Sequence, residues 1–187
     1  MTSGVICRTI TGQEATLDPK CETIHDEYLK GLFKHIHGEI YESGAKLTSQ
    51  IKNVYEFRLQ VDNEKPLKQV NKATDKVGVD YIDFTIDFKN DRGKIYMGCP
   101  DDFFDKSDPI YKKKKATVVF TMREQDFFSL LRGQLGAMPA IRARKLFLQG
   151  NVLNLLSFST KFVEPHVLSY LFDEDGNPTE APPKADL

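Results

Sequence analysis

Few side chains in this 187-residue chain combine the right chemistry with a spacing that could build a reaction centre. His35, His37 and Glu39 lie close together in a helix-like stretch. Residues two apart on a helix diverge, so the two histidines cannot chelate together. His35 and Glu39 do share a face, but two ligands make a poor metal site. Asp101, Asp102, Asp105 and Asp108 have the charge for calcium, yet their spacing lacks the glycine and terminal glutamate of an EF-hand loop. Cys7, Cys21 and Cys99 show no CxxC spacing and point to inert thiols in a reducing, intracellular compartment. Asp126 stands where a helix begins, a position that favours the helix dipole, and is read as structural. No G-x-S-x-G, phosphate-loop or paired-acid motif occurs. The expectation is a non-enzyme without metal or cofactor.

The cations form two groups. Lys112, Lys113, Lys114 and Lys115 make the one strong charge run. It suits a solvated loop, contact with an anionic membrane surface, or nuclear import or RNA contact. Arg142, Arg144 and Lys145 suit either a surface face or contact with a ligand carboxylate or phosphate. Net charge is −1, so no bulk attraction to nucleic acid is expected. The N-terminus lacks a signal-peptide pattern, and no run reaches the length of a membrane span. A cytoplasmic, monomeric protein is expected.

Periodicity divides the chain into an N-terminal arm (1–25), one domain (26–163) and an acidic, proline-rich disordered tail (164–187). Leu29, Leu32, Phe33, Ile36, Ile40, Leu47 and Ile51 recur mostly at three- and four-residue spacing, which predicts a helix over 26–51. Gly38 and Gly44 weaken it, with a bend or break expected near Ser43-Gly44. Alternation predicts strands over 54–61 and 81–88, separated by a polar, lysine-rich loop at 62–80. A turn at 90–93 leads to a short strand over 94–98, and 99–115 is loop-like. A strand over 117–122, a helix to Leu135, a strand over 145–149 and a helix from Val152 to about Phe162 follow. This order predicts an α+β fold: a five-stranded, mostly antiparallel sheet covered on one face by helices.

The apolar residues of the C-terminal half admit two readings, a filled core or a lined cavity. Val118, Phe120 and Met122 share one strand face. Phe127, Leu131 and Leu135 lie on one side of the next helix, and Met138 and Ile141 sit in the connection. Leu155, Leu156 and Phe158 belong to the last helix, which Val152 opens. Phe84, Ile86, Leu146 and Leu148 supply the same-facing strand positions.

From Ala116 onward the chain resembles the sterol carrier protein type-two family. The carriers of the resemblance, in order, are Phe120-Thr121-Met122, Asp126-Phe127, Leu130, Gly133, Leu135, Pro139-Ala140, Lys145-Leu146 and Gly150-Asn151. Upstream, the run from Phe84 to Asn90 with Gly93-Lys94 is similar to that family's central strand and turn. The likeness spans roughly 32–162. It implies an apolar tunnel between sheet and helices, and binding and transfer of sterol, fatty acid or fatty acyl-CoA without catalytic residues. On that implication the sixteen apolar residues just named line the tunnel, while Lys112 to Lys115, Arg142 and Arg144 meet a headgroup or a membrane. The alternative is a cargo-free interaction module on the same scaffold. Ile141-Arg142-Ala143-Arg144 departs from the aromatic pair and glycine common in that family, and could place charge at a tunnel mouth. The final Lys184-Ala185-Asp186-Leu187 does not match a Ser-Lys-Leu type peroxisomal signal.

Overall fold

A computed structural model describes residues 27–61, 64–69, 80–172, 175 and 177. The N-terminal arm, most of the 62–80 loop and the final residues lie outside that set. Helix α1 (Glu27–Ile51) buries the predicted stripe from Leu29 to Ile51. It leads into β1 (Val54–Gln60), β2 (Tyr81–Asp87) and β3 (Lys94–Met97). Two short helices follow, α2 (Pro100–Phe103) and α3 (Pro109–Lys114). Then come β4 (Val118–Arg123), α4 (Glu124–Leu131), α5 (Ala137–Arg142), β5 (Leu146–Gln149) and α6 (Val152–Phe158). A π-helix (Ser159–Val167) and α7 (Leu168–Leu171) complete the described chain.

The five strands form one sheet in the order β3-β2-β1-β4-β5. Three of its pairings are antiparallel and the central β1–β4 pair is parallel. The α+β class and the five-stranded sheet therefore agree with the expectation. Register places Phe57 of β1 opposite both Phe84 and Phe120. Their rings stack, with centroids 4.6 Å and 4.7 Å apart. Phe33 of α1 meets Phe84 edge-on at 4.5 Å, so the long helix sits on the same face.

The opposite face is polar but not open to water. Glu56, Thr85 and Asp87 are buried there. Arg58 donates to Glu56 at 2.6 Å, Thr85 donates to the Gly98 carbonyl, and Phe103 of α2 packs on Tyr96 at 5.6 Å. The segment expected as a loop over 99–115 thus contains two helices that cover part of this face. Pro100 and Pro109 mark chain breaks in the sequence, yet each opens a helix at its first position, where the missing N–H costs nothing. The four nearby carboxylates take local bonds. Asp102 accepts from the Cys99 N–H, Asp108 from Ile110, Asp105 from Ser107, and Asp101 from the Tyr111 hydroxyl.

Three other boundaries differ from the sequence reading. Helix α4 ends at Leu131 and not at Leu135, and the connection folds as α5, whose N-cap is Gly136. The C-terminal helical run continues through Pro165 to Leu171 instead of stopping near Phe162, so 164–171 belongs to the domain and not to a tail. Val167 and Leu171 are buried, which explains why a polar-looking stretch stays helical. Finally, α1 runs unbroken through Ser43-Gly44. Gly44 is a contact point and not a break: a Cβ there would overlap the Arg92 carbonyl oxygen in the β2–β3 turn.

This contact sets two opposite expectations within one helix. Gly44→Ala should destabilise the fold by about 1–3 kcal/mol through overpacking. Gly38→Ala, where nothing lies within 4 Å of the new methyl group, should stabilise it by about 0.5–1 kcal/mol. Denaturant midpoints of the two variants against the parent protein check both signs.

Candidate functional site

Phe57 and Phe120 floor a cavity of about 640 Å³ between the sheet and the C-terminal helices. That volume lies within the usual range of small-molecule sites, about 300–1,000 Å³. Phe127, Leu130 and Leu131 of α4 form one wall, and Gly136 and Ala137 at the start of α5 form the next. Leu155, Leu156 and Phe158 of α6, then Ser159, Val163 and Glu164 of the π-helix, face them. Leu168 and Phe172 close the far end. Among the described residues, Arg132 and Glu164 are the charged members of the wall.

Local sequence explains the shape. Helix α4 stops after Leu131, and Gly133 (φ +72°) turns the chain in a left-handed conformation that glycine adopts freely. The chain therefore leaves the sheet before it can fill the space over Phe57. On the other side the helical run widens. The Leu168 N–H bonds the Val163 carbonyl five residues back, and Pro165 inside the run has no N–H to give. Asn151 caps α6 by accepting from the Leu153 N–H. Tyr55 of β1 donates to the Asn154 carbonyl at 2.9 Å and packs on Phe158, which pins α6 to the sheet. Burial pushes its phenol up to about 12, so it remains a hydrogen-bond donor at neutral pH.

The residues singled out in the sequence divide into three groups. Phe120, Phe127, Leu131, Leu135, Leu155, Leu156 and Phe158 stand together in the cavity wall. Phe84, Ile86, Val118, Met122 and Leu146 lie in the close-packed core, and Leu148 and Ile141 pack partly against it. Met138 and Val152 are exposed. Sequence reasoning missed Phe57, although its place in an alternating strand made it visible, and it missed Val163, Leu168 and Phe172 because the chain was expected to end its last helix earlier. It also missed Arg132. That guanidinium donates to the Tyr28 hydroxyl at 2.8 Å and lies over the Tyr28 ring, 5.2 Å from its centre.

The other cations are placed elsewhere. Arg142 and Arg144 are exposed and outside the cavity wall. Lys145 faces Asp126 at 3.6 Å. Lys114 lies 3.7 Å from Asp87 and 3.6 Å from Asp91, while the Lys113 carbonyl accepts from Asn90. Asp87 projects from the sheet face opposite Ile86, so the lysine run lies on the far side of the sheet from the cavity. Lys112, Lys113 and Lys115 are exposed there.

Two histidines, His35 and His166, join the π-helix to α1. His35 donates from Nε2 to the His166 carbonyl at 2.6 Å and stacks on Tyr170. His166 donates from Nδ1 to Glu39 at 2.6 Å. The shared face of His35 and Glu39 thus receives the π-helix. Among the described residues no group of three or more His, Cys, Asp and Glu is placed to hold a metal ion. No described helix is long and apolar enough to cross a membrane.

The sequence pattern of the SCP-2 sterol transfer family matches residues 33–162. A comparison with curated proteins finds no match. Similar solved structures include apo sterol carrier protein 2 from Yarrowia lipolytica, at 18% identity and TM-score 0.47 over 73% of this chain and 91% of that one. Sterol carrier protein domain 2 of Helicoverpa armigera matches at 18% identity and TM-score 0.44 over 74% and 91% of the two chains. Palmitated SCP2L2 from Aedes aegypti matches at 13% identity and TM-score 0.42 over 74% and 96%.

The two histidine bonds tie the cavity's cover to α1, and cutting one should loosen that cover selectively. In His166→Ala, amide exchange over 159–171 should accelerate by about tenfold, the equivalent of losing a hydrogen bond of about 1–1.5 kcal/mol. Exchange in β1 and β4 should not change. Hydrogen exchange read by mass spectrometry checks both regions in one experiment.

Proposed function

This chain belongs to the SCP-2 sterol transfer family, and we propose that it carries one lipid molecule in the cavity above Phe57 and Phe120, without covalent chemistry. The observation behind this reading is the open apolar volume of about 640 Å³ in a domain whose other apolar side chains pack closely. The open volume favours cargo over a cargo-free scaffold.

The energetics suit a carrier. A chain of about sixteen carbons leaving water gains roughly 13 kcal/mol, at about 0.8 kcal/mol per CH₂. A bilayer offers nearly the same gain, so the difference between carrier and membrane is small and exchange runs both ways. Specificity then falls to the few polar groups of the wall. Arg132, a wall residue held by Tyr28, is the cation suited to the carboxylate of a fatty acid. A sterol has no anion to offer it. Glu164 in the same wall disfavours a second anion.

Delipidated protein should take up a fluorescent fatty acid saturably, at one molecule per chain. Absence of saturable uptake for fatty acids and sterols alike would end the carrier reading. Ala137→Trp, which inserts an indole into the cavity wall, should abolish uptake while circular dichroism stays that of the parent. Arg132→Met should weaken fatty-acid binding by about tenfold or more, as loss of a charge-assisted hydrogen bond of about 1.5–3 kcal/mol requires. Sterol binding should be unchanged. Equal losses for both ligands would remove Arg132 from headgroup recognition.

A further inference from the structure

The stretch of chain that supplies most of the cavity's wall carries no acid. Between Asp126 and Glu164 the sequence has no Asp or Glu, while Arg132, Arg142, Arg144, Lys145 and Lys161 all fall inside it. The whole chain has 27 acids against 26 Lys and Arg, so this run is a local bias and does not follow from composition.

The same stretch exposes large apolar side chains. Leu153 is 63% exposed, Leu156 53% and Met138 48%. Leu153 and Leu156 are three apart on α6 and share a face. Leu156 also lines the cavity, and Met138 follows the lining residue Ala137. Leu156 is therefore both an exposed side chain and part of the cavity's wall. Arg142 ends the same short helix that Ala137 begins, about 8 Å along its axis at 1.5 Å per residue. Arg142 and Arg144 are exposed and enter no ion pair among the described residues.

We infer that this rim docks on an anionic lipid bilayer, with Leu153, Leu156 and Met138 entering the headgroup–acyl boundary and Arg142 and Arg144 meeting phosphate and carboxylate groups. The inference rests on the cavity being the lipid site: docking there lets an alkyl chain pass between bilayer and cavity without crossing water. Apolar tips bordered by arginines match the bilayer's own layering of acyl chains beneath anionic headgroups. The lysine run does not take part, because Lys114 is held by Asp87 and Asp91 on the sheet's other face.

Vesicle flotation of the full chain tests this with two compositions, pure phosphatidylcholine and equimolar phosphatidylcholine–phosphatidylserine. The protein should float with the anionic vesicles and much less with the neutral ones. Leu153→Gln should lower partition by about tenfold. Arg142→Gln and Arg144→Gln should each lower it by about fivefold, with a weaker salt dependence. Combined Lys112→Gln, Lys113→Gln and Lys115→Gln should leave it unchanged. The docking face is overturned if the parent protein floats with neither vesicle, if the lysine variant alone loses binding, or if Leu153→Gln instead dissolves a homodimer seen by light scattering. Uptake of fluorescent fatty acid from vesicle-free solution separates the two readings. Leu153→Gln should retain it. Flotation without any uptake by the parent protein overturns the carrier reading and with it the lipid hand-over, while uptake without flotation overturns only the docking face.

Discussion

The stack of Phe84, Phe57 and Phe120 across the middle of the sheet is the contact on which the rest of the domain is built. Three strands reach this row from distant parts of the sequence, and neighbouring rings lie within 4.7 Å only in one register. A slip of one residue would turn every ring to the polar face. Each such aromatic pair adds about 0.5–1.5 kcal/mol beyond burial, so the register is held by several kcal/mol at most, together with the general gain from burying the face. Phe33 rests on one end of the row, Phe127 reaches Phe57 and Phe84, and Phe158 contacts Phe57 and Phe120. Helices from both halves of the chain thus use the same rings as their seat.

That shared seat explains where open space arises. Helix α1 is long and continuous, and its stripe fills the β2–β3 half of the face. The β1–β4 half is covered in short pieces: α4, α5, α6 and the π-helix. Short helices joined by turns cannot follow the sheet as one long rod does. Where they part, Phe57 and Phe120 are left lining the cavity. The His35, Glu39 and His166 bonds then matter beyond their modest energy, since they tie the last of these pieces to the rigid α1.

Much of this was legible in the sequence because it depends on period. The stripe from Leu29 to Ile51, the alternation of Phe84, Ile86 and Phe88, and the strand–helix junction at Arg123-Glu124 all follow from which side chains must leave water. What escaped was set by tertiary contact. Gly44 looked like a weak point in α1 and proved to be a packing site against Arg92, because helix propensity says nothing about what approaches from outside. Pro100 and Pro109 fell in a stretch expected as loop, and the last helix was expected to end before Pro165. Two begin helices, and the third sits inside a π-helix kept in place by buried Val163, Val167 and Leu171. The wall residues beyond Phe162 went unseen for that reason. Core and cavity residues also cannot be told apart by pattern: Met122 and Leu131 occupy equally apolar positions, yet one is packed in the core and the other faces the space.

The two faces of the sheet divide two physical demands that a lipid carrier places on one small domain. A cavity wall must be weakly packed, and weak packing removes stability. The polar face works in the other direction. Asp87 accepts bonds from the Lys89 and Asn90 backbone and approaches Lys114, closing the β2–β3 turn against α3. Glu56 and Arg58 pair at 2.6 Å on the neighbouring strand. Taking one member from such a buried pair leaves the other charge without compensation, so the strands beneath the cavity are held rigid from behind. The short helices in front rest on the aromatic row through Phe127 and Phe158. Those helices belong to the C-terminal half, which also carries the exposed leucines and the acid-free run of cations.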